Sequence, residues 1–132
     1  MLDRDGLIDL IGRQYFGAMD RKDLDGTMAP LAPDCVFTVY PAGERHAGRD
    51  AAIRPLFARA FEDYASLWHG NFNWVVDEPQ QRVAAWFDVR LERPGGHVIE
   101  MSNGKFFSLA GDRLVRLDLY LSTAERIVGE TG

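Results

Sequence analysis

The segment His-Gly-Asn-Phe-Asn, residues 69–73, contains the side chain best suited to acid–base chemistry. Histidine gains and loses a proton near neutral pH, so an imidazole can act as a general acid or a general base. In an extended chain His69 shares one side with Asn71 and Asn73, while Gly70 and Phe72 face the other way. That second side also carries Trp68, Trp74 and Val76.

The sequence is compatible with two orientations of this strand. If the strand is half-buried, its aromatic side faces the core and His69 lies in water. If the strand is covered on both sides, His69 and the two asparagines line a cavity, and Phe72 and Trp74 form an outer patch. An exposed aromatic patch needs a partner, so the second orientation also predicts a homodimer through the outer face of the sheet.

Asn103 shows a clearer sign of facing inward. In a strand it shares its face with Ile99, Met101 and Phe107, all apolar. A buried amide needs hydrogen-bond partners. Asn103 therefore either is satisfied by backbone or water, or donates to a ligand.

Tyr15, Tyr40 and Asp88 are further candidates. Each tyrosine is either a large core residue with its hydroxyl bonded to backbone, or a donor that faces a ligand. Asp88 alternates with apolar neighbours, which places it on the outer face with Trp86. If Asp88 faces inward instead, an apolar pocket raises the pKa of its carboxyl and suits it to acid–base work.

The pattern around these residues changes from helical to extended along the chain. Apolar spacing predicts a first helix over about residues 5–20, with Asp3 or Asp5 as N-cap, and a short second helix capped by Asp23. Residues 35–40 read as a strand. A third helix follows over residues 48–64 with Asp50 as its cap, and Pro55 delays its regular part. We interpret residues 42–50 as a turn.

From residue 66 onward apolar residues alternate with polar ones. Turn signals at residues 77–81, 93–96 and 110–112 divide this half into four antiparallel strands. Long strands twist and curl. The sequence therefore predicts an α+β domain: a cone-shaped, curved, mixed but mostly antiparallel sheet, with three N-terminal helices closing a central cavity.

Composition narrows the function classes. The 132 residues, 46% of them hydrophobic, fit one domain over residues 1–132, with residues 123–132 expected to form a flexible tail. A net charge of -5 without a basic cluster argues against nucleic acid. No apolar run is long enough to span a membrane, so we expect a cytoplasmic protein. One cysteine, Cys35, and three scattered histidines do not suggest a zinc site; we expect no metal and no cofactor.

The order of elements resembles the nuclear transport factor 2-like superfamily. The local sequence RQYFGAMDRKDLDG, followed by LAPDCVFTVYPAGERHAGRDAAIRPLF, is similar to the opening of ketosteroid isomerases and SnoaL-type polyketide cyclases. The resemblance implies that Tyr15 matches the isomerase tyrosine that donates to the enolate. The isomerase base falls at Tyr40, and its neutral aspartic acid falls at or next to Asn103.

Scytalone dehydratase gives a second comparison through HGNFNW and SNGKFF. The resemblance implies that its tyrosine, first histidine and asparagine correspond to Tyr40, His69 and Asn103. Its helix-end aspartate falls near Asp20, and its second histidine falls near Phe87. The segment WFDVRLERPGG is also similar to limonene epoxide hydrolases, with Asp88 at their acid and Trp86 at their arginine.

These observations favour an acid–base enzyme of the isomerase, dehydratase or cyclase type that needs no cofactor. Its substrate would be a compact, apolar carbonyl or hydroxyl compound, and the alternative is a non-catalytic ligand-binding or dimerisation module. The predicted catalytic residues are Tyr15, Tyr40, His69, Asp88 and Asn103. The predicted substrate contacts are Met19, Phe57, Phe61, Asn71, Asn73, Trp86 and Met101.

Overall fold

The computed structural model describes residues 1–123, and the predicted tail lies outside this range except for Thr123. Three helices precede most of a six-stranded sheet. Helix α1 covers residues 4–20 and contains the segments Arg4–Ile8, Asp9–Phe16 and Gly17–Asp20; α2 is Leu24–Met28; α3 covers residues 49–63 and contains Arg49–Ile53 and Arg54–Asp63. The strands are β1 Leu31–Tyr40, β2 Glu44–Ala47, β3 Ser66–Asp77, β4 Arg82–Glu92, β5 Val98–Ala110 and β6 Arg113–Tyr120.

The helix starts largely follow the predicted caps. The Asp3 side chain accepts from the backbone N–H of Gly6, and the Asp23 side chain accepts from that of Gly26. The predicted cap Asp50 is wrong, because Gly48, with φ 100°, holds the capping position of α3 and Asp50 lies in the first turn. A π-helical turn delays the regular part of α3 until Arg54, just before Pro55.

The sheet has the order β2-β1-β6-β5-β4-β3. Strand β1 runs parallel to β6, and every other neighbouring pair is antiparallel. This is the predicted mixed, mostly antiparallel curved sheet closed by three helices. The interpretation of residues 42–50 as a turn is wrong in part, because Glu44–Ala47 pairs with β1 as a sixth strand.

Helix α1 lies against the inner face of the sheet. Its buried residues Leu7, Ile11, Tyr15 and Phe16 join alternate residues of the strands in one core. The ring of Phe16 lies 5.0 Å from that of Phe87, centroid to centroid. The concave side of the sheet is therefore covered by helix, as the alternating pattern predicted.

Strand β3 contains a β-bulge that changes which side chains face inward. Gly70 pairs with Asp88 and Asn73 pairs with Trp86, so β3 has one residue more than β4 between these positions. Asn71 takes up the extra residue with φ 54°. Before the bulge Leu67 and His69 face inward; after it, the inward residues are Phe72, Trp74 and Val76.

The bulge resolves the question of orientation in a way that neither sequence-based alternative anticipated. His69 faces the cavity, and the ring of Phe72 still lies 5.1 Å from that of Phe16 in the core. A side chain at Gly12 of α1 would meet the Trp74 ring at 3.2 Å. The prediction that Phe72 and Trp74 form the outer patch is therefore wrong.

The bulge predicts effects of different size for two truncations in β3. Phe72→Ala should lower the free energy of unfolding by about 2 kcal/mol, because it removes an aromatic ring from the edge of the core. Val75→Ala, at a position 71% exposed, should change it by less than about 0.5 kcal/mol. Urea denaturation of both variants measures the difference, and a larger loss for Val75→Ala would contradict the assigned register.

Candidate active site

A cavity of about 370 Å³ lies between the helices and the inner face of the sheet. Its wall is mainly apolar, and the apolar side chains that form it are Phe16, Met19, Phe37, Val39, Pro41, Ala42, Leu56, Phe57, Ala60, Leu67, Phe87, Val89, Leu91, Leu119 and Leu121. Pro41 and Ala42 are exposed and mark the mouth. A compact apolar molecule fits a space of this size and character.

Six polar side chains interrupt the apolar wall: Tyr40, Glu44, His46, His69, Asn103 and Lys105. Glu44 is exposed at the mouth, whereas Asn103 and Lys105 are each 2% exposed. They come from β1, β2, β3 and β5, so the curvature of the sheet brings them to one space. The structure places three predicted site residues, Tyr40, His69 and Asn103, in the cavity wall together with the predicted contacts Met19 and Phe57.

His69 forms a hydrogen-bonded pair with Asp20 at the end of α1. The Asp20 carboxylate lies 2.6 Å from Nδ1 of His69 and also accepts from the backbone N–H of His69 at 3.0 Å. The aspartate thus fixes the ring orientation. With Nδ1–H donated to Asp20, Nε2 carries the free lone pair. Among the described residues no side chain bonds Nε2, which leaves it for a ligand.

Asn103 is only partly satisfied by the protein. Its Oδ1 accepts from the backbone N–H of Ser122 at 3.0 Å, while its Nδ2 lies 3.9 Å from Sδ of Met101, a weak acceptor. The carbonyl end therefore anchors the side chain. The amide end retains donor capacity toward the cavity.

Lys105 is one of the residues that the sequence-based prediction missed. Its Nζ lies 2.5 Å from the hydroxyl of Tyr15 and 4.6 Å from the ring centroids of both Tyr15 and Phe37. The ion pairs found within residues 1–123 do not include Lys105. This amine is buried with a hydroxyl and aromatic rings instead of a carboxylate.

Burial determines the protonation states of Lys105 and Tyr15. Loss of water around Nζ lowers the pKa of Lys105 to about 7, and nearby Cys35 acts in the opposite direction. Burial also raises the pKa of Tyr15 well above its ordinary value and raises that of Cys35 to about 12. At neutral pH Lys105 is therefore divided between amine and ammonium, while Tyr15 and Cys35 keep their protons.

Tyr15 was predicted to face a ligand, but it does not line the cavity. It is fully buried, and its hydroxyl contacts Lys105 behind the cavity wall. Tyr40 does line the cavity, and its ring stacks on Tyr120 of the parallel neighbour β6 with centroids 4.4 Å apart. The Tyr40 ring therefore lies with Tyr120 on the outer side of the sheet, and residue 40 meets the cavity only at its mouth, beside Pro41. Tyr15 can act only through Lys105.

The predictions that Asn71, Asn73 and Trp86 contact substrate are wrong. Asn71 lies in the bulge and Asn73 follows it, and both are exposed on the outer face. Trp86 is 64% exposed on the same face. Met101 and Phe61 belong to or pack against the core, but they do not form part of the cavity wall.

The prediction of Asp88 as an inward acid or base is also wrong. Its carboxylate accepts from the Asn71 amide at 2.9 Å and from the Ser102 hydroxyl at 2.7 Å on the outer face. These hydrogen bonds, first that of Asn71 and then that of Ser102, lower the pKa of Asp88. A raised pKa would have required the opposite environment.

Lys105 could have been found from its spacing, whereas His46 could not. Lys105 follows Asn103 by two residues, so the alternation that placed Asn103 inward also applies to Lys105. His46 lies in β2, which the sequence did not reveal. Its Nε2 is buried and has no hydrogen-bond partner among residues 1–123.

Residues 1–123 contain no group of three or more His, Cys, Asp or Glu side chains placed to hold a metal ion. None of the helices over the same residues combines the length and apolar character needed to cross a membrane.

Comparisons with known proteins agree with this architecture. The family model described as a SnoaL-like domain matches residues 12–117. No curated protein sequence matches the chain.

Several solved structures share the fold. A proposed polyketide cyclase from Xanthomonas campestris pv. campestris is 23% identical with TM-score 0.78, covering 89% of this chain and 90% of that one. AusH from Aspergillus nidulans is 14% identical with TM-score 0.77, and the match covers 98% of this chain and 93% of that one.

A proposed aromatic ring hydroxylase from Novosphingobium aromaticivorans is 18% identical with TM-score 0.75, covering 93% of each chain. Structures at these identities share the fold with this chain and nothing more specific. Because the family model spans most of its length, the chain belongs to the SnoaL-like domain family.

Proposed function

We propose that this protein is an acid–base enzyme that moves a proton on a compact, apolar carbonyl or hydroxyl compound held in the cavity. The pairing of His69 with Asp20 at 2.6 Å carries the proposal. A histidine that merely fills space does not need a carboxylate to orient it. A carboxylate on Nδ1 favours the tautomer with a free Nε2 and stabilises the imidazolium formed when Nε2 takes a proton.

The surrounding donors suit the charge that such a step creates. Removal of a proton next to a carbonyl places negative charge on the carbonyl oxygen. The amide of Asn103 and the ammonium form of Lys105 are the donors in the cavity wall. One donor to a developing oxyanion typically contributes about a hundredfold or more in rate.

The similar structures support a small organic ligand without identifying it. Two of them carry names that refer to a polyketide cyclase and an aromatic ring hydroxylase. We extend to this chain only the class of ligand, a small organic molecule. The alternative, a ligand-binding module without catalysis, keeps the same cavity and makes His69 dispensable for any reaction.

Solvent exchange tests catalysis before the natural substrate is known. In D₂O the enzyme should accelerate deuterium incorporation next to the carbonyl of small apolar ketones, followed by proton NMR. His69→Ala should reduce this acceleration by about 10² to 10⁴-fold, the usual contribution of a general base. Asp20→Asn should also reduce it, because an amide cannot reproduce the carboxylate on Nδ1.

His97→Ala is the matched control for histidine loss, since His97 is exposed in the turn between β4 and β5. This variant should retain the wild-type rate. Binding of a ketone with equal exchange in wild type and His69→Ala would support the non-catalytic alternative.

We propose in addition that the outer face of the sheet forms a homodimer interface. Four neighbouring strands each present one exposed aromatic side chain there: Trp68, Trp86, Phe106 and Tyr120, all between 45% and 64% exposed. The predicted residues were different, but an outer aromatic patch is present. Such a patch across adjacent strands favours burial against a partner.

Sedimentation velocity tests the interface. The wild type should sediment as a dimer at micromolar concentration, and Trp86→Glu should shift it toward monomer, because a carboxylate at the centre of the patch would be buried without a counter-charge. A substitution away from the patch, Glu62→Gln on α3, should leave the dimer unchanged. A monomeric wild type would refute the interface.

A further inference from the structure

Lys105 has a chemical setting unlike that of the only other lysine. The sequence contains two lysines, Lys22 and Lys105. Lys22 lies in the turn after α1 and is half-buried, whereas Lys105 lies in the cavity wall and is 2% exposed. The chain thus offers one internal amine and one amine outside the cavity for comparison.

The contacts of Lys105 favour the neutral amine. An ammonium in a dry site needs an anion or several acceptors, and Nζ has one acceptor, the Tyr15 hydroxyl. Rings of Tyr15, Phe16, Phe37 and Phe107 occupy the space around it, with centroids 4.6–5.7 Å from Nζ. Ring faces attract a cation, but they do not neutralise its charge as a carboxylate would.

A neutral lysine amine has a free lone pair and is a nucleophile toward carbonyl carbon. Enzymes that use lysine in this way lower its pKa by burial in an apolar pocket or by a nearby cation. Burial alone lowers the pKa of Lys105 to about 7. The titratable groups near Nζ are Tyr15 on α1 and Cys35 on β1, and both keep their protons at this pH.

We propose that Lys105 is a covalent attachment site, at which Nζ forms an imine with an aldehyde or ketone held in the cavity. The nitrogen lone pair attacks the carbonyl carbon, and the C–O π electrons move to oxygen. Transfer of one N–H proton to that oxygen gives a carbinolamine. Loss of the second N–H proton and the hydroxyl as water then forms the C=N bond, so no oxidant or reductant is required.

Groups near Lys105 can serve these proton transfers. The Tyr15 hydroxyl, 2.5 Å from Nζ and behind the cavity wall, can exchange a proton with that nitrogen but not with the ligand. The His69–Asp20 pair can take up or return a proton in the cavity. The covalent site adds a step to the proposed function and rests on it in one respect. When His69 removes the proton next to the former carbonyl carbon, the imine nitrogen accepts the electrons in place of the carbonyl oxygen.

Reductive trapping tests the site without any turnover. The wild-type protein is incubated with propanal and sodium cyanoborohydride at pH 7, and the reduced adducts are located by peptide mass spectrometry. An ordinary lysine is almost wholly protonated at pH 7. Lys105 should therefore label at least about tenfold faster than Lys22.

Three controls assign the label. Lys22→Arg should retain labelling at Lys105, and Lys105→Met should lose the fast phase. In urea-unfolded wild type the two lysines should label at equal rates, because the cavity no longer exists. Since Lys22 and Lys105 are compared within one folded wild-type chain, the test stands even if Lys105→Met fails to fold.

Faster labelling of Lys22, with Lys105 unmodified in the folded protein, would overturn the proposal. That result would leave Lys105 as a buried structural amine. It would not affect the solvent-exchange test of His69, which requires no covalent bond. Conversely, wild-type exchange in His69→Ala would refute the proposed proton carrier and leave the trapping result intact.

Discussion

The dry interior of the cone is the constraint on which the rest of the site depends. Apolar side chains from α1, α3 and the sheet exclude water from most of the cavity wall, so each polar group there must find a protein partner or a ligand. Lys105 shows the size of the effect. A pKa lowered from 10.5 to about 7 corresponds to roughly 5 kcal/mol against the charged form, and none of the ion pairs among residues 1–123 includes Lys105 to offset it.

The β-bulge in β3 reconciles this dry interior with a proton carrier. Without the extra residue at Asn71, an inward His69 would turn Phe72 and Trp74 out of the core. The bulge lets one strand send the imidazole into the cavity and, three residues later, an aromatic ring into the core. Bulges often re-aim side chains next to active sites, and here the bulge also provides Asn71 as the partner of Asp88.

The sequence predicted the parts of the fold that follow from local periodicity. Alternation placed Asn103 inward, and the same alternation applies to Lys105 two residues later, although a lysine is rarely buried. Alternation failed at Asn71, because one extra residue reverses the faces and leaves no trace in the pattern. The family resemblance pointed to an aspartate near Asp20, but the contact between Asp20 and His69, 49 positions apart, was not predicted, since spacing along the chain carries no information about such a pair.

The pKa of Lys105 tests this account most directly. With two lysines in the chain, ¹³C labelling of lysine gives two side-chain Cε resonances, and a Lys22→Arg variant assigns them. Following the Lys105 resonance against pH by NMR should give a midpoint near 7. A midpoint at 10 or above would show that water or an anion reaches Nζ, and the dry cavity and its amine nucleophile would both be contradicted.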